Sequence, residues 1–194
     1  MNVGITGGIG SGKSMIAKVF EVLGIPVYYA DDAAKRLMNE DEDLQQQLIA
    51  SFGDAIYTNR LLNRKVLATL VFNDTKKLSL LNTIVHPVTI QDGEEWTKKQ
   101  VAPYTIKEAA LIFESGSDKY LDKVIGVYAP APIRLQRVML RDNLPEEAVK
   151  ARMEKQMDEE IKMGLCDYII NNNGQELVIP QVMKIHEMLL ALTK

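Results

Sequence analysis

Cysteine is almost missing from this chain. Only Cys166 among 194 residues carries a thiol, which excludes an internal disulfide framework and suits a reducing cytosol. No stretch of roughly eighteen apolar residues occurs, so nothing is expected to span a membrane. A basic excess is also lacking: 23 Lys and Arg stand against 26 Asp and Glu, a net charge of −3, with a pI near 5.5. That balance argues against a general nucleic-acid or membrane surface, but leaves room for a local basic site. There is no basic stretch ahead of a signal-type apolar segment at the N-terminus, and no repeats or low-complexity linkers stand out. What remains is ordinary for a cytoplasmic globular protein, with 46% hydrophobic and 25% charged residues. The length accommodates one α/β domain with a small insertion or two.

The most informative stretch comes first. Met1 to Thr6 reads as a buried parallel strand. It breaks into Gly7-Gly8-Ile9-Gly10-Ser11-Gly12-Lys13-Ser14-Met15, and helical spacing resumes at Ile16, Ala17, Val19 and Phe20. This is the G-x-x-x-x-G-K-[ST] phosphate loop in its strand–loop–helix context. Glycines let the backbone N–H groups approach a polyphosphate, and the helix start adds a partial positive charge. Lys13 is placed to neutralise the β/γ oxygens and the Ser14 hydroxyl to ligate Mg²⁺, which makes the phosphates of a nucleotide the expected ligand.

A second strand, Ile25 to Ala30, ends at Asp31-Asp32. A carboxylate at that strand end could take the proton of an attacking hydroxyl, or either acid could simply N-cap the next helix. Residues 41–101 then show helical periodicity with breaks at Gly53-Asp54, Thr58-Asn59 and Asn73-Asp74, and no convincing strand for about sixty residues. The expectation is a helical insertion after the second strand, where kinases of small phosphorylated molecules often carry an acceptor-binding domain, a step that is fold-level analogy. His86-Pro87 should break a helix within it; the imidazole either contacts substrate or caps the junction.

Strand signals return at Tyr104 to Phe113, interrupted by Glu108 and ending at Glu114. Glu108 is either a ligand of Mg²⁺ or substrate, or a surface residue; Glu114 is either a helix-start carboxylate or an acceptor contact. After a further strand, Lys123 to Ala129, comes a helix with Arg134, Arg137 and Arg141 on one face. These arginines could clamp transferring phosphoryl oxygens as part of a lid over about 131–159, or form a solvated face. A last strand, Asp167 to Ile170, runs into Asn171-Asn172-Asn173-Gly174, whose amides either approach a base or merely make a turn. The fold class is therefore α/β: a parallel sheet flanked by helices, with its core in 1–30, 103–130 and 160–194 and an insertion at about 31–102.

In combination, these elements resemble the dephospho-coenzyme A kinase family over essentially the whole chain. The resemblance rests on Gly4-Ile5-Thr6-Gly7-Gly8-Ile9-Gly10-Ser11-Gly12-Lys13-Ser14, Tyr29-Ala30-Asp31, His86-Pro87 and Leu111-Ile112-Phe113-Glu114. It extends through Arg137-x-x-x-Arg141-Asp142, Gln156 and Asp167 to Gly174. It implies transfer of the ATP γ-phosphoryl group to the ribose 3′-hydroxyl of dephospho-CoA, with another small-molecule kinase, such as a nucleoside monophosphate kinase, as the alternative. It further implies catalytic roles for Lys13, Asp31, Arg137 and Arg141, and nucleotide contacts from residues 8–15, Asn172 and Gly174. Acceptor contacts would come from Asp31, Asp32, His86 and Glu114. The chain departs from the family pattern at Tyr29 (Asp expected), Lys35 (Arg), Ala110 (Pro) and Met15 (Thr). A guanine-specific Asn-Lys-x-Asp motif and an Asp-x-x-Gly switch motif are both missing, which speaks against a GTPase. Oligomeric state is not legible.

Overall fold

The computed structural model describes residues 1–72 and 74–193, with only the backbone of Phe72; the break expected at Asn73 lies outside the described residues. The chain divides into two compact units, Met1–Tyr29 with Lys99–Lys194, and Ala30–Lys98.

The first unit is built on five parallel strands: β1 (Asn2–Thr6), β2 (Val27–Tyr29), β5 (Thr105–Glu108), β6 (Lys123–Tyr128) and β7 (Tyr168–Asn171), ordered β2-β5-β1-β6-β7. Its helices are α1 (Lys13–Val22), α6 (Ala131–Asp142), α7 (Glu146–Met153), α8 (Glu159–Gly164) and α9 (Val178–Leu192). The strands read as continuous apolar runs because both sheet faces are covered. Val3, Ile5, Ile106, Ile125 and Val127 form one core with Ile16 and Phe20 of α1 and Val182 and Leu189 of α9.

The strand expected over Tyr104–Phe113 is shorter, because its partner ends. β1 turns into the phosphate loop after Thr6, and the Ala109 N–H to Ile5 O bond is the last rung. The chain then folds into turns closed by Ser115 N–H to Leu111 O and Ser117 N–H to Ile112 O. β2 is likewise trimmed to three residues, with Ala30 already helical.

The second unit comprises α2 (Ala30–Glu40), α3 (Glu42–Phe52), α4 (Arg64–Phe72) and α5 (Thr75–Lys98), around Leu37, Leu44, Leu48, Ile56, Leu67 and Val85. Two expectations fail here. The stretch thought free of strands contains a hairpin, β3 (Tyr57–Thr58) with β4 (Leu61–Leu62). Its two turn residues, Asn59 and Arg60, both have positive φ, 51° and 64°, which matches the twist of a two-residue hairpin. His86-Pro87 does not break the helix: α5 runs through Pro87. Val85, Thr89 and Gly93 are buried on one face of α5, and that packing outweighs the lost hydrogen bond of a proline inside a helix. Asp31 and Asp32 sit inside the first turn of α2, where carboxylates favour the helix dipole.

Candidate active site

The loop between β1 and α1 shows how the glycines serve it. Gly10 and Gly12 have φ of 82° and 98°, a region costly for other residues. Gly12 precedes α1 without a side-chain cap, and the first turn of α1 has no acidic residue, so its N–H groups and dipole remain suited to an anion. Lys13 is 9% exposed and its Nζ donates to Gly7 O over 3.0 Å. Ser11 Oγ is fully buried in the loop and, among the described residues, has no hydrogen-bond partner.

Beside the loop, Glu108 ends β5 opposite Ile5 of β1 and Tyr29 of β2. It is 4% exposed, and its Oε1 lies 3.4 Å from Ser14 Oγ. The carboxylate at the strand end is thus brought to the loop hydroxyl, away from the exposed face that sequence left open. These hard oxygen donors fit Mg²⁺, which needs only one or two protein groups when phosphates and waters complete its octahedron. Among the described residues no cluster of three or more His, Cys, Asp or Glu forms an all-protein metal cage.

The arginines of α6 are not free to clamp a phosphate in this state. Arg134, 7% exposed, pairs with Glu159 at 3.4 Å and donates from Nε to Ala129 O. Arg137 reaches the carbonyls of Gly10 (3.5 Å), Ser11 (3.4 Å) and Asn172 (3.1 Å). Arg141 pairs with Asp142 at 2.7 Å, and Arg152 shares that carboxylate at 3.3 Å. The Arg141 guanidinium holds the Asp142 carboxyl below its usual range. The Asn172 side chain, expected near a base, donates to Ser11 O over 2.7 Å and is 7% exposed. Arg137 and Asn172 together tie the carbonyl side of the loop to the end of β7. Gly174 lies beyond it with φ of 80°.

Glu114 caps no helix, contrary to one expectation. Its carboxylate accepts from the Met157 N–H (3.0 Å) and from Lys162 Nζ (2.8 Å). Lys162 is fully buried and also donates to Ala110 O over 3.0 Å. Burial would raise the Glu114 carboxyl, but the bond from Lys162, with help from Met157 N–H, holds it below its ordinary value. Sequence reasoning missed Lys162 and Glu159. A lysine between Ile161 and Met163 was the available signal, since a buried ammonium needs a carboxylate. Glu159 left no signal, being one acid in an acidic first turn.

A cleft of about 520 Å³ lies against this region, lined among others by Tyr128, Arg134, Met153, Gln156 and Glu159. Asp31, Asp32 and His86 belong to the second unit. Asp31 and Asp32 are exposed, with Asp32 paired to Lys35, and His86 is half-buried.

A glycine loop joining the central strand of a five-stranded parallel sheet to its helix, with a lysine, a hydroxyl and a strand-end carboxylate around it, defines a P-loop kinase. The fold is shared with shikimate kinase from Bacteroides thetaiotaomicron at 12% identity and TM-score 0.57. More closely, the family model described as dephospho-CoA kinase matches residues 1–177, and the chain belongs to that family. It is 33% identical over 186 residues to the dephospho-CoA kinase of Bacteroides fragilis, covering 95% of this chain and 91% of that one. It is 38% identical over 178 residues to that of Geobacillus kaustophilus, covering 90% and 89%. A solved Thermus thermophilus protein matches with TM-score 0.86 at 34% identity, over 97% of this chain and 96% of that one. Dephospho-CoA kinase from Campylobacter jejuni matches with TM-score 0.70 at 28% identity, over 100% and 98%.

Proposed function

We propose that this chain transfers the γ-phosphoryl group of ATP to the ribose 3′-hydroxyl of dephospho-CoA, giving coenzyme A. The observation that carries the reading is family membership over nearly the whole chain, joined to a phosphate loop with Ser14 and Glu108 at its mouth. Residues 8–15 line the phosphates, with N–H donors from Gly10 onward because those of Gly8 and Ile9 are held by Glu159 and Gln156. Lys13, still donating to Gly7 O, turns its other N–H groups to the β/γ oxygens. Ser14 and Glu108 hold Mg²⁺, which when bound neutralises charge on the phosphates. Asp31 accepts the proton of the acceptor hydroxyl, leaving an oxygen nucleophile for the phosphorus as the bond to ADP breaks. The Ala30–Lys98 unit, with Asp32 and His86, binds the acceptor, and the segment from α6 to the start of α8 acts as the lid. Arg137 and Arg141 are the lid arginines; on ligand binding Arg141 exchanges Asp142 for phosphoryl oxygens. Gly174 and the Asn172 backbone lie by the adenine, while Glu114 serves the acceptor only through the segment it anchors. A single cysteine, Cys166, fits a cytoplasmic enzyme that needs no disulfide.

The test is ADP release across a panel of acceptors with Mg²⁺ and ATP. Dephospho-CoA should stimulate release strongly. Turnover with a nucleoside monophosphate and none with dephospho-CoA would overturn the assignment.

A further inference from the structure

The rim of the phosphate loop is held from outside by two side chains that the mechanism above does not use. Gly8 N–H donates to Glu159 Oε1 over 3.2 Å, and Ile9 N–H donates to Gln156 Oε1 over 2.7 Å. Glu159 Oε2 meets Arg134 at 3.4 Å, with side chains only 10% and 8% exposed. A Cβ on Gly8 would meet that guanidinium and carboxylate, so a side chain there would have to displace the pair.

Each peptide unit is planar, so fixing an N–H also fixes the preceding carbonyl. The Gly8 N–H held by Glu159 shares its plane with Gly7 O, the acceptor for Lys13 Nζ at 3.0 Å. The Ile9 N–H held by Gln156 shares its plane with Gly8 O, which accepts Ser11 N–H at 3.0 Å. One peptide therefore links Glu159 to the lysine, and the next links Gln156 to the loop's own turn. Because Lys13 reaches the β/γ oxygens, the half of the loop that these side chains hold is the γ end of the cradle.

We propose that Glu159, balanced by Arg134, and Gln156 are positioning residues for the γ-phosphoryl end of the loop, without touching substrate themselves. The inference rests on the loop being the ATP site. Calorimetric titration of β,γ-imido-ATP and of ADP, both with Mg²⁺, tests it in wild type, Glu159→Leu, Glu159→Gln and Gln156→Met. Glu159→Leu and Gln156→Met should each lose about tenfold in affinity for the triphosphate and less than about twofold for ADP, as expected for one unsatisfied donor. Glu159→Gln, which keeps an acceptor for Gly8 N–H, should recover most of that loss. Equal losses for both nucleotides, or no loss, would overturn the positioning role. Wild-type protein that bound neither nucleotide would overturn the ATP-site reading itself. If Glu159→Leu does not fold, Gln156→Met, at a half-buried position, decides the matter alone.

Discussion

Lys162→Met removes a buried ammonium that joins α8 to the turns after β5. Its Nζ donates to Glu114 over 2.8 Å and to Ala110 O over 3.0 Å, and its side chain is wholly buried. Removing one partner of a buried pair typically costs about 3–5 kcal/mol, chiefly by stranding the other charge. The Glu114 side chain is 20% exposed and keeps its Met157 N–H donor, so water and that bond reduce the cost to about 2–3 kcal/mol. For a chain of this size that is a fall in Tm of roughly 4–12 °C. Replacing both partners, Lys162→Met with Glu114→Leu, strands no charge and should cost less than Lys162→Met alone. Urea unfolding followed by far-UV circular dichroism measures both, with an unchanged m-value confirming that the native surface is comparable. A single-variant loss below about 1 kcal/mol, or a double variant at least as costly as Lys162→Met alone, would refute the reasoning.

Asp31→Asn should keep ATP affinity while lowering kcat by at least about 10²-fold, as loss of a general base requires; near-normal turnover would remove Asp31 from the mechanism. Glu108→Gln should raise the Mg²⁺ concentration needed for half-maximal nucleotide binding by about tenfold, read calorimetrically; an unchanged requirement would leave Ser14 without its carboxylate partner. Stability should also fall on acidification. Burial would raise the carboxyls of Glu114 and Asp167, but bonds from Lys162 and Lys123 hold both below their ordinary values of 4.5 and 3.8. Their contribution is therefore complete above those ordinary values and is lost as pH falls through the depressed folded-state values. The urea midpoint should be level near pH 6 and drop below about pH 4.5, and Glu114→Gln should shallow that slope; an identical slope would exclude Glu114 as a contributor.

The features legible in sequence were local ones. The apolar run of β1, the glycine spacing and the helical pattern of α1 sit within twenty consecutive residues, and each imposes its own backbone preference. The helical periodicity of the second unit was visible for the same reason. What escaped reading depends on partners distant in the chain. β5 stops at Glu108 because β1 stops at Thr6, a fact that no property of residues 109–113 contains. Pro87 reads as a break, yet α5 holds because its buried face outweighs one missing bond. The contacts of Gln156 and Glu159 with residues 8 and 9 span about one hundred and fifty positions, and the Arg134–Glu159 pair forms across α6 and α8. Spacing on α6 placed the three arginines on one face but could not show that Arg134 and Arg141 have carboxylate partners, or that Arg137 binds loop carbonyls.

The central claim, phosphorylation of dephospho-CoA at its ribose 3′-hydroxyl, is tested most directly by identifying the product. The purified protein is incubated with dephospho-CoA, Mg²⁺ and ATP labelled in its γ-phosphoryl group, and the products are separated and located by phosphorus NMR. The account predicts one labelled phosphate monoester on the ribose 3′-oxygen, formed with equimolar ADP. Label that stays in ATP, or appears as free phosphate at a rate independent of dephospho-CoA, would contradict it.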